Sequence, residues 1–199
     1  MEHEFLSGFY TIAAGVVLYS GKELVRFFVD NKLNRKQSNL ENIYPIYVEV
    51  FKAAKIFIGS YNTPLSQPES LKALKDETLE QFKRNRKFIK AYKNNVSYRY
   101  IINLNFHVDS MRETKQMFNN LFSANQFCFN EDFVRKTIYI CEVMDKDMDN
   151  LQSKLNYCGL NNVLDPESYI IDESYKEQIN VYEQYLDEFH KQFKKRFKI

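Results

Sequence analysis

Glycine and proline are scarce, at 5 and 4 in a chain of 199 residues. A β-sandwich or a doubly wound α/β enzyme spends many more of both on its turns and phosphate loops. Tryptophan is absent, although 17 Phe and 14 Tyr make aromatic side chains plentiful. Cysteine is limited to Cys128, Cys141 and Cys158, an odd number with no CxxC spacing. That pattern excludes a disulfide framework as the expected scaffold and points to a reducing compartment. Cys141 falls on an apolar helical face, where a small buried thiol is expected. A surplus of one charge is missing too, since 28 Lys+Arg meet 26 Asp+Glu for a net +2. With 44% apolar residues the chain is neither disordered nor a multi-span membrane protein. Its length suits one ordinary domain with an appendage.

Catalytic signatures are missing as well. The three histidines, His3, His107 and His190, form no HExxH, no ExxH and no close cluster with Cys or carboxylates. Five scattered glycines leave no GxGxxG or GxxxxGK[ST] cradle, and there is no GxSxG elbow. Asp145 to Asn150 resembles the start of a calcium loop. However, Asn150 stands where Gly is needed and Asn156 where Glu is needed. These acids therefore read as a solvated helix face. The expectation is a protein that is not an enzyme and uses no metal or cofactor.

What is present begins with a stretch free of charge, FLSGFYTIAAGVVLYSG, residues 5–21. As a helix it reaches about 25 Å, slightly short of a hydrocarbon core of about 30 Å. Apolar character continues through Leu24, Val25, Phe27, Phe28 and Val29. Lys22 is placed to snorkel, and Phe5 and Tyr19 to sit at the two interfaces. The leading Met-Glu-His-Glu carries no Lys or Arg, unlike a cleaved signal peptide. Lys22, Arg26, Lys32, Arg35 and Lys36 all follow the run. The positive-inside rule then places the N-terminus outside and the body in the cytoplasm, anchored to an inner or plasma membrane. Ser7, Thr11 and Gly15 recur every four residues and would let helices approach closely, which makes self-association one expected partnership. The competing reading makes residues 5–29 the buried central helix of a soluble, cytoplasmic bundle.

The body reads as about five amphipathic helices. Ser38-Asn39-Leu40-Glu41 has capping-box spacing. It precedes Ile43, Ile46, Tyr47, Val50, Phe51, Ala54 and Phe57 at steps of three and four. Pro45 should kink this helix or mark its true start, and Gly59 to Pro64 should end it. A second capping box, Ser66-Gln67-Pro68-Glu69, opens a helix to about Lys93 with Leu71, Leu74, Leu79, Phe82, Ile89 and Tyr92 inward. Residues 96–108 alternate like a strand but also carry a helical stripe, and helix is the preferred reading. Asn130 opens a helix whose seam is Val134, Ile138, Cys141, Met144, Met148, Leu151 and Leu155. A loop from Tyr157 to Asp165 leads to the last helix, with seam Tyr175, Ile179, Tyr182, Leu186, Phe189, Phe193 and Phe197. The sum is an all-α antiparallel bundle over residues 37–199, behind an anchor and basic joint over 1–36.

Two basic clusters stand out. Lys83, Arg84, Arg86, Lys87, Lys90 and Lys93 bring six positive charges with no acid between Lys83 and Lys93. Residues 165–188 carry eight acids and one Lys, so pairing inside the bundle is the first explanation. Anionic lipid comes second, and nucleic acid is possible but not favoured. The terminal helix ends on Lys194, Lys195 and Arg196 beside a phenylalanine stripe. Its faces suit either the last turns of a core helix or a contact with the lipid bilayer.

The order of features resembles small bacterial single-pass, membrane-anchored helical-bundle proteins of uncharacterised function. The resemblance is carried by the anchor, the joint Lys32 to Lys36, the stretch Leu40 to Tyr47 and the stretch Phe82 to Arg86. It covers about half of the chain. It implies membrane tethering and a helical body and brings no catalytic residues. The expected function is a membrane-tethered interaction, sensing or effector module facing the cytoplasm. The alternative is a soluble adaptor or nucleic-acid-associated bundle.

Overall fold

Few helix breakers make for long helices. The computed structural model describes Arg26, residues 29–34 and residues 37–197, and its regular structure there is all helical. The chain divides into two compact units, Met1–Pro45 and Ile46–Ile199. In the first, Arg26 pairs with Asp30 at 3.9 Å. The expected capping box does not form. Residues 37–38 are already helical and Asn39–Ile43 is a π-helical turn. Gln37 donates to Glu41 at 2.8 Å, and Asn42 donates to the Ser38 hydroxyl at 3.4 Å. A residue inside a helix cannot serve as its cap.

Eight α-helices follow: α1 (Tyr44–Ser66), α2 (Pro68–Lys72), α3 (Asp76–Gln81), α4 (Arg86–Asn94), α5 (Val96–Asn125), α6 (Glu131–Asn161), α7 (Pro166–Ile170) and α8 (Glu173–Phe197). Pro45 is the second residue of α1, directly after the π-helical turn. In the unit that starts at Ile46, α1, α5, α6 and α8 form the bundle. Tyr47 meets Phe197 and Tyr61 meets Tyr175, so α1 and α8 are antiparallel. Lys136 pairs with Glu188 and Lys154 with Asp172, which makes α6 antiparallel to α8. Arg112 with Asp149 and Asn105 with Gln152 make α5 antiparallel to α6. The ambiguous residues 96–108 are helical, and their buried residues Tyr100, Leu104 and Val108 follow the period of a helix.

Helix ends differ from expectation where side chains from elsewhere take over backbone groups. α1 passes through Gly59 and Pro64 to Ser66. Ser66 closes α1, its hydroxyl donating to the Asn62 carbonyl at 3.0 Å, so it does not cap α2. The single helix expected up to Lys93 is α2, α3 and α4 instead. Asn103, fully buried on α5, donates to the carbonyls of Leu71 at 2.8 Å and Ala73 at 2.9 Å. Arg99 takes the carbonyls of Lys72, Tyr92 and Lys93. These side chains tie the carbonyls at the ends of α2 and α4 to α5 and hold the short helices against it. Leu71 is buried as expected, but Leu74 is exposed.

On α6 the Asn130 side chain accepts from the Phe133 N–H at 2.8 Å, the cap the sequence announces. The helix then outruns its expected end at Tyr157 and stops at Asn162, whose φ is 50°. Its early seam is rotated from the expected one. Phe133, Thr137 and Ile140 are buried, Val134 and Cys141 half-buried and Ile138 exposed. Thr137 and Tyr185 share a hydrogen bond of 3.0 Å, and Phe133 packs on Tyr185 and Phe189. This pairing sets the rotation. On α8 the expected seam is buried or half-buried throughout, with Tyr185 added to it.

Candidate functional site

Chemistry in this fold gathers at three places, all in the unit that begins at Ile46. The first is α4. Asn85 starts it by accepting from the Phe88 N–H at 3.1 Å. Phe88, Ile89 and Tyr92 form its inner face, and Phe88 packs on Phe82 and Tyr98. At 100° per residue, Arg86, Lys87, Lys90 and Lys93 share the opposite face. All four are exposed, as are Lys83 and Arg84.

The predicted internal answer to these charges does not occur. Lys83 pairs with Glu80 at 3.2 Å, and the other five have no ion pair among the described residues. Four of the eight acids of residues 165–188 are engaged elsewhere: Glu167 by Lys72, Asp172 by Lys154, Glu173 by Lys176 and Glu188 by Lys136. The reason is topological. α8 runs away from the α4 end of the bundle, and lysines of α2, α6 and α8 itself lie beside these acids.

The second place is the opposite end of the bundle, where α8 finishes. A cavity of about 410 Å³ is lined by Tyr47, Asn130, Lys191, Gln192, Lys195 and Arg196. Arg196 donates through Nη1 to the Cys128 carbonyl at 2.7 Å and to the Tyr47 hydroxyl at 3.3 Å. Its guanidinium lies 5.3 Å from the Tyr47 ring centre. Tyr47 in turn donates to the Cys128 carbonyl at 3.2 Å. Burial raises the Tyr47 hydroxyl above its ordinary range, against the pull of Arg196. Arg196 and Lys195 thus line this cavity, whereas Lys194 is exposed and does not. Lys191, Gln192 and Asn130 are site residues the sequence reading missed. The four-residue spacing of Lys191 and Lys195 was the available signal.

The third place is the α6–α8 seam. Tyr182 donates to the Asp147 carboxylate at 2.5 Å. Burial raises the Asp147 carboxyl despite that hydrogen bond. A cavity of about 260 Å³ beside it is lined by Tyr61, Asp147, Lys154, Asp172 and Tyr175 among others. Lys154 pairs with Asp172 at 2.7 Å and lowers its carboxyl, while Tyr175 donates to the Tyr61 carbonyl. These polar groups are spent on joining helices. The calcium-like acids lie inside α6 and are not simply a solvated face. Asp145 pairs with Lys115 and Asp149 with Arg112, but Asp147 is half-buried.

Among the described residues no group of His, Cys, Asp or Glu is arranged to hold a metal. The three thiols are free, and burial pushes that of Cys141 up to about 12. No described helix is long and apolar enough to cross a membrane. Phe5, Ser7, Thr11, Gly15, Tyr19 and Lys22, the expected anchor residues, lie outside the described residues. The chain matches no protein-family model, no curated protein and no solved structure.

Proposed function

We propose that this protein is a membrane-tethered, non-enzymatic interaction module whose bundle presents the basic face of α4 to an acidic protein partner in the cytoplasm. The observation that carries this reading is α4 itself, with five exposed cations that have no ion pair among the described residues, while four of the eight acids of residues 165–188 are taken by other lysines. Tethering is supported by the charge-free residues 5–21 and by positive charge on one side only. The unit boundary at Pro45/Ile46 agrees with a body that folds apart from what precedes it. Ile46 enters the bundle at the end where α8 finishes, and α4 occupies the other end.

Two measurements test this. The full chain should stay with membranes after carbonate extraction, and residues 31–199 should be soluble, helical and cooperatively unfolding. Misfolding of that fragment would favour the second reading, a soluble adaptor with residues 5–29 as its core helix. The six cations between Lys83 and Lys93 give that alternative its link to nucleic acid. Salt-sensitive retention on DNA or RNA, lost in Arg84→Glu/Arg86→Glu, would replace the acidic-protein partner by nucleic acid.

A further inference from the structure

We infer that the cavity at the end of α8 binds a phosphate monoester. Its lining offers donors and no carboxylate: Lys191, Lys195 and Arg196 contribute three positive charges and Gln192 and Asn130 their amides, while the Tyr47 proton is given to the Cys128 carbonyl. A volume of about 410 Å³ falls within the usual range for small-ligand sites, about 300–1,000 Å³.

The donors are held ready. The Nη1 bonds of Arg196 to Cys128 and Tyr47 fix its guanidinium and leave Nε and Nη2 without a partner among the described residues. A fixed planar fork is the group best matched to phosphate oxygens. Gln192 accepts from the Asn130 amide at 2.5 Å, so its own Nε2 remains a donor. Lys191 and Lys195 stand one helical turn apart and make no ion pair among the described residues.

Among the described residues no acid pairs with them, and Asp187, one turn before Lys191, is exposed and makes no ion pair. Glu131 and Asp132 are held by Arg135 at 3.6 and 2.7 Å, and Glu188 by Lys136. Three cations around one cavity, with no ion pair among the described residues, call for a ligand of more than one negative charge. A phosphate monoester supplies that charge and three acceptor oxygens. The group has two sources, a lipid headgroup such as that of phosphatidic acid or a soluble phosphorylated metabolite. The site does not depend on the tethering reading. Phosphate binding by a chain that fails to stay with membranes would leave the site standing and remove the tether.

The test uses the full chain in an uncharged detergent, with inorganic phosphate as the first probe, followed by 31P line width. Saturable broadening is expected. It should weaken at least tenfold in Lys191→Gln/Lys195→Gln and in Lys195→Glu, and stay unchanged in Lys90→Gln/Lys93→Gln on α4. Circular dichroism of each variant should match the parent, because the exchanged lysines are exposed. Displacement of phosphate by short-chain phosphatidic acid well below the concentration needed for glycerol 3-phosphate assigns the lipid source. Equal displacement by both assigns the soluble one. No saturable binding, displacement by neither monoester, or equal weakening by the α4 variants would overturn the inference.

Discussion

His107 donates its Nε2–H to the carbonyl of Ser60 at 2.8 Å. Ser60 lies four residues before Pro64, so its carbonyl is the one that proline deprives of a helical partner. The histidine on α5 therefore repairs a gap in α1 and lets that helix run on to Ser66. A carbonyl oxygen only accepts, which places the proton on Nε2.

Burial lowers the His107 pKa below its ordinary 6.5; the bond to Ser60 opposes the shift and Lys75 adds to it. The folded state thus binds fewer protons than the unfolded state below pH 6.5. This contribution to stability is complete above pH 6.5 and is lost as pH falls toward the lowered value. His107→Leu should cost about 1–3 kcal/mol at pH 7.5 by orphaning the carbonyl. It should also flatten the urea midpoint between pH 7 and 5. In a Pro64→Ala background the cost should shrink, since the helix then answers Ser60 itself. Equal costs in both backgrounds would sink the coupling.

Asp147 works in the opposite sense. Its carboxyl is raised by burial, so the folded state holds the proton more tightly than the unfolded state. That contribution is complete below the ordinary value of 3.8 and is lost as pH rises through the raised one. Asp147→Asn keeps an acceptor for Tyr182 and removes the buried charge. It should hold stability at pH 7 or raise it by up to about 1 kcal/mol. Asp147→Ala should lower it by about 1–3 kcal/mol, because the Tyr182 hydroxyl loses its acceptor. Thermal denaturation of the two variants separates these outcomes, and an Asn variant as unstable as the Ala variant would contradict the assignment.

Asn103 governs the segment between α1 and α5. It donates to two carbonyls and accepts from the Tyr92 hydroxyl at 2.7 Å, and it has no exposed surface. Asn103→Leu strands three buried polar groups and should cost about 3 kcal/mol or more. Amide exchange should rise mainly between residues 67 and 95 while the long helices stay protected. A uniform rise across α6 and α8 would show that this segment is not a separable unit.

The small-residue stripe of the expected anchor gives a prediction outside the described residues. If Ser7, Thr11 and Gly15 form a helix–helix contact, Gly15→Leu should reduce self-association in a bacterial membrane two-hybrid assay by severalfold. An unchanged signal would remove self-association through this face.

The sequence by itself determined the class of fold. Scarce glycine and proline and apolar steps of three and four specify helices, and local signals such as Asn130 and Asn95 mark their starts. The α8 seam was legible because its aromatic residues recur on one face. The tertiary structure decided what local signals could not carry. Pro64 reads as a stop until His107, 47 residues beyond Ser60, takes the Ser60 carbonyl. Likewise, α2 to α4 read as one helix although Asn103 and Arg99 of α5 hold the carbonyls at the ends of α2 and α4. The charges follow the same logic. Sequence shows that acids and bases nearly balance, but only the antiparallel order of α6 and α8 decides which of them meet. Among the described residues, the cations of α4 and of the end of α8, at opposite ends of the bundle, make no ion pair.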